Sequence, residues 1–141
     1  MSNWKKVFAT HEERQGTSLG DWPGDMFPGV ALPSKLALTK WVELRYGDKW
    51  TIAQVRDVGP WATDDDAYVF GDSKPRAEIE KGQYMDTDLN KPGIQPPTVQ
   101  GKVIRSSNGA AVDLFPAVAK ALGIPIGENV TLEWRFLNPN S

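Results

Sequence analysis

The stretch Ile52-Ala53-Gln54-Val55-Arg56-Asp57-Val58-Gly59-Pro60-Trp61 reads as a β-strand that carries one carboxylate to the point where the chain must leave a sheet. Ile52, Val55 and Val58 supply β-branched bulk. Gly59 then removes the side chain, and Pro60 removes the amide hydrogen that continued pairing needs, so both serve the structure by ending the strand. An aspartate just before such a break sits at a sheet rim, where it can reach a ligand from a rigid scaffold. Trp61 follows at once, so the acid of Asp57 and a large aromatic face arrive at one place.

Working upstream, Trp41 to Tyr46, the turn Gly47-Asp48 and Lys49 to Val55 form the clearest hairpin, with Trp41, Glu43 and Arg45 on one face and Val42, Leu44 and Tyr46 on the other. Val30 to Pro33 is a brief strand ended by proline, and Trp4 to Thr10 alternates weakly as a first strand. Gly16 to Gly29, rich in Gly, Asp, Pro and Trp, reads as an ordered surface loop. Downstream, residues 62 to 101 form a long polar insertion. A helical turn fits Pro75 to Lys81, closed by Gly82. Gly101 to Ile104 reads as a strand and Ser106 to Gly109 as a turn. Ala110 to Leu114 leads into a short helix over residues 116 to 122, with Pro116 in its first turn and Gly123 past its end. Asn129 to Leu137 alternates cleanly as the last strand.

Six short strands in 141 residues, with 13 Gly and 11 Pro to make turns, define a mainly β chain forming one domain over residues 1–141. The net charge of −2 and the lack of a basic stripe exclude a nucleic-acid surface. With no cysteine, thiol catalysis and thiolate metal sites are excluded. No apolar run matches a signal peptide or the roughly 20 residues of a membrane span, so no membrane partner is expected. Localisation stays open between an intracellular product released by lysis or a non-classical route, as from a phage, and a protein exported by a signal outside this sequence. A monomer without cofactor or metal is expected.

In order and spacing, Asp57-Val58-Gly59-Pro60, Gly109 to Leu114, Pro116 to Gly123 and Val130 to Phe136 resemble the double-psi β-barrel domains. These include the rare-lipoprotein-A-like lytic transglycosylases, the expansins, the family 45 endoglucanases and the "3D" cell-wall hydrolases. Gly29 to Pro33 and Trp41 to Tyr46 resemble the lead-in of the same domains. The resemblance implies a six-stranded double-psi barrel acting on a cell-wall glycan, most simply peptidoglycan. It makes Asp57 the general acid that protonates the departing glycosidic oxygen. Asp113 matches the aspartate of an Asp-Leu-Ser element and is assigned a structural role before the helix. The chain departs from these patterns at Gly29, where a histidine stands, at Leu32, where the "3D" domains carry an aspartate, and at Phe115, where a helix-capping serine stands.

Flat aromatics suit the apolar faces of sugar rings, which makes Trp61, Tyr68 and Trp22 candidate substrate contacts. Some of the six tryptophans must be core, and Trp134 with either Trp41 or Trp50 is expected there. Asp64-Asp65-Asp66 lacks the spaced ligands and glycine of a calcium loop. It reads as a solvated acidic run in which Asp65 is a candidate second carboxylate, with Glu78 another. His11, isolated in a charged stretch, reads as a surface residue. The rival function is a non-catalytic module, either an expansin-like glycan binder or a structural part of a phage or secretion assembly. A third is an intracellular small-ligand barrel.

Overall fold

The structure, a computed structural model, describes residues 3–12, 16–17, 20–21, 27–82 and 107–137. In chain order its elements begin with strands β1 (Lys5–His11), β2 (Gly16–Thr17), β3 (Gly20–Asp21), β4 (Gly29–Leu32), β5 (Trp41–Tyr46) and β6 (Lys49–Val58). Helices α1 (Asp66–Val69) and α2 (Arg76–Ile79), strand β7 (Ala110–Leu114), helix α3 (Pro116–Ala121) and strand β8 (Val130–Phe136) follow. Six strands close into a barrel in the order β1-β7-β4-β6-β5-β8, while β2 and β3 pair only with each other. The barrel is mixed: β1 with β7 and β4 with β6 run parallel, and the other neighbours run antiparallel. Both parallel pairs carry a register shift, at Phe8/Ala9 and at Val30/Ala31.

Side-chain alternation sends Val42 and Leu44 of β5 into the core and leaves Trp41 and Arg45 outside, as the hairpin pattern dictates. Inside, Trp134 is fully buried, and its indole N–H donates to the Tyr68 hydroxyl at 2.7 Å. That hydroxyl in turn donates to the Ala111 carbonyl at 3.1 Å. The two rings meet edge to face with centroids 6.0 Å apart, so the bulkiest core pair also satisfies its own polar atoms. Helix α3 buries Val118 and Ala119 against β4, β6 and β7, and Gly123 leaves it at φ +71°.

Three expectations are revised. The fifth barrel strand is Ala110–Leu114 rather than a lead-in to the helix, because all but Asp113 of its side chains are buried and no polar alternation marks it. The expected strand at 101–104 lies outside the described residues. The insertion is not wholly loop: α1 and α2 pack onto the barrel, α2 within the turn expected at 75–81, and Gly82 follows at φ +85°. The Gly82 N–H donates to the Ser107 carbonyl at 2.8 Å, so the two ends flanking 83–106 meet. Trp134 is core as expected, but Trp41 and Trp50 are both exposed, at 40% and 55%, because both stand on the outer face of the hairpin. No helix among the described residues is long and apolar enough to cross a membrane.

Candidate functional site

Ala31, at the centre of β4, is the register partner of Asp57 on β6 and of Asp113 on β7. Asp113 is in turn the partner of Thr10 on β1, so Thr10, Asp113, Ala31 and Asp57 form one row across four strands. Val112 and Leu114 point into the core, which turns Asp113 outward, and the Thr10 hydroxyl donates to its carboxylate. Register partners share a face, so two carboxylates stand on one outer row, their Cα atoms separated by two strand spacings of about 4.8 Å, or roughly 10 Å. Both are half-exposed.

Asp57 Oδ1 accepts the Val58 N–H at 2.9 Å, which fixes the carboxylate at the strand end. The strand stops where the sequence says it must: Gly59 adopts φ +139° and donates its N–H to the Leu32 carbonyl at 3.1 Å. Trp61 then takes φ +67°, a left-handed conformation that costs a bulky residue on the order of 1–3 kcal/mol. Its indole N–H donates to Asn108 Oδ1 at 3.0 Å, and the ring packs on Ala62 and Ala77. The same Asn108 oxygen accepts the Ala110 N–H at 3.0 Å, tying Trp61 to the start of β7. Arg56, beside Asp57, has its Nε buried without a partner among the described residues, and its guanidinium lies 4.7 Å from the Phe27 ring centroid.

The other candidates fall elsewhere. Tyr68 is 1% exposed and cannot stack on a sugar; burial pushes its hydroxyl pKa up. Its Tyr-Val-Phe setting looked like a loop, but α1 folds it into the barrel. Asp65 is likewise buried, and it accepts the Arg76 N–H at 2.8 Å. Burial raises its carboxyl pKa, with the Arg76 N–H and guanidinium opposing. Asp64 stays solvated with its side chain 73% exposed while pairing with Arg76 at 3.5 Å, half-buried Asp66 accepts the Ser34 hydroxyl at 2.5 Å, and only Asp65 leaves the solvated run. Glu78 is exposed on α2, and Trp22 lies outside the described residues. His11 donates to the Glu128 carbonyl at 2.6 Å on the surface. Among the described residues no group of three or more His, Asp or Glu could hold a metal ion.

Glu78 does line a cleft of about 550 Å³ between the start of β1, the α1–α2 segment and the end of β8. Phe70 and Phe136 stack within its wall with centroids 5.2 Å apart. At the same cleft, Lys5 Nζ donates to the Gly71 carbonyl at 2.5 Å, and burial lowers its pKa against the pull of Asp72.

Asn108 and Thr10 escaped the sequence reading. Both act through partners roughly 50 or 100 positions away, and only the Ser-Asn-Gly turn signal around Asn108 hinted at either.

These features define a closed, six-stranded mixed β-barrel with a two-carboxylate row on its outer face. No protein-family model matches the chain, and no curated protein matches it.

Proposed function

We propose that the chain is a carbohydrate-active barrel of the double-psi kind, acting on a cell-wall glycan such as peptidoglycan. The observation that carries this reading is the row in which Asp57 and Asp113 flank Ala31. Asp57, at the strand end beside a strained Trp61, is the general acid that protonates the glycosidic oxygen. Asp113, oriented by Thr10, is the second carboxylate that faces the sugar cation or the attacking group. Two half-exposed carboxylates on one row, the number that glycoside hydrolysis ordinarily uses, support the pairing. Trp61 offers the aromatic edge for a sugar ring. Digestion of peptidoglycan by the wild type and by Asp57→Asn, with soluble products read by mass, tests the assignment.

A non-catalytic module, either an expansin-like glycan binder or a structural component, is the second reading. One observation favours it: Phe115 fills the space at Gly29, so the position aligned with the family's histidine can carry no side chain. A barrel without that group can grip a glycan without cutting it.

A further inference from the structure

The barrel's outer face opposite the carboxylate row carries three tryptophans. Trp50 is the register partner of Arg45, which pairs with Glu133, which pairs with Lys6. One row along, Ile52, Glu43 and Arg135 are partners, and beyond them Trp41 pairs with Gln54. Trp4 bridges the rows: the guanidinium carbons of Arg45 and Arg135 lie 4.0 and 4.2 Å from its ring centroid. Trp41 and Trp50 thus sit on adjacent strands four residues out of step, about 14 Å apart by strand geometry, with Trp4 over the pairs between.

Every charge in the middle of this face is matched. Arg45 holds Glu133 through two bonds of 3.0 and 3.3 Å, and Arg135 holds Glu43 at 2.6 Å. The face therefore has flat apolar planes and fixed hydrogen-bonding groups, with exposed Lys6 beyond the pairs as a third cation against two carboxylates. A protein partner would want contiguous apolar area at the centre, whereas here ion pairs separate the indoles. A polysaccharide presents what this pattern matches: sugar rings whose C–H faces lie on aromatics while their polar edges meet Arg, Lys and Gln side chains.

We propose that the face bearing Trp4, Trp41 and Trp50 is a second binding surface for a cell-wall polysaccharide strand, separate from the Asp57–Asp113 row. It rests on the glycan reading for its polymer class but not on any chemistry at Asp57. The guanidiniums of Arg45 and Arg135 hold the Trp4 ring before binding, so little of its side-chain freedom remains to be lost.

The test uses the whole chain with two probes: peptide-free glycan strands and insoluble peptidoglycan sacculi. Trp41→Ala/Trp50→Ala removes two exposed rings, and a thermal melt matching wild type shows that the barrel persists. The expected result is binding weakened about tenfold or more in that variant, a loss of one or more 1.4 kcal/mol steps. Wild-type affinity in the double variant overturns the proposal and leaves the carboxylate reading standing. Tryptophan-dependent binding without product release keeps the proposal and removes the enzyme. A concentration-dependent dimer that the double variant abolishes, with no glycan bound by wild type, assigns the face to a second copy of this chain and overturns the proposal.

Discussion

The ring of Phe115 fills the space over Gly29: a β-carbon built on Gly29 would fall 2.4 Å from Phe115 Cδ2. Two of the three departures from the double-psi pattern, a glycine for a histidine and a phenylalanine for a serine, are therefore one packing solution. The Phe115 N–H also donates to the Gly29 carbonyl at 3.0 Å, so backbone and ring lock β4 to the start of α3.

Gly29→Ala must then push a fully buried ring, at a cost of about 1–3 kcal/mol or more, and Phe115→Ala leaves a cavity at about 3–5 kcal/mol. In the double variant the new methyl enters the vacated space, and the two costs fall short of adding by roughly 0.5–3 kcal/mol. Urea unfolding of the four proteins measures this. Strict additivity would mean that the ring does not occupy that space.

Tyr68→Phe removes one hydroxyl and strands two buried groups, the Trp134 indole N–H and the Ala111 carbonyl. A destabilisation of about 1–3 kcal/mol follows, although the ring itself is preserved. Denaturant midpoints decide it, and a variant as stable as wild type would remove the hydroxyl from the core network.

Two carboxylates give stability opposite dependence on pH. Burial raises the folded pKa of Asp65 above its ordinary 3.8, so its contribution is complete below that value and is lost as pH rises through the folded pKa. Hydrogen bonding to Arg45 lowers the folded pKa of Glu133 below its ordinary 4.5. Its contribution is present above 4.5 and is lost as pH falls through the folded pKa. Relative to wild type, Asp65→Asn gains stability on going from pH about 4 to 7, and Glu133→Gln loses relative stability on going from pH about 3 to 5. Urea midpoints across that range check both; parallel curves for either variant contradict its assignment.

Much of the barrel was legible because periodicity is local. The β5–β6 hairpin, β8 and the Pro116-to-Gly123 helix each declare themselves within ten residues or so. β7 did not, because a short strand of alanine, valine and leucine has no alternation to read. Alternation also placed Trp41 on a face without saying that the face lies uncovered, and it left Tyr68 in an apparent loop that in fact folds into the core. Asp57 was legible as the end of a strand. Its alignment with Asp113 was not, since it depends on parallel and antiparallel pairings through β4 that join segments dozens of residues apart.

The most direct test of the two-carboxylate site is peptidoglycan digestion by wild type, Asp57→Asn and Asp113→Asn, with melts to show that all three are folded. Loss of the acid should lower product release about 10²–10⁴-fold. Anhydro-muropeptides or reducing-end products from wild type, reduced to that extent in Asp57→Asn and also diminished in Asp113→Asn, are the expected result. Equal release by wild type and Asp57→Asn, or none by wild type, would contradict it.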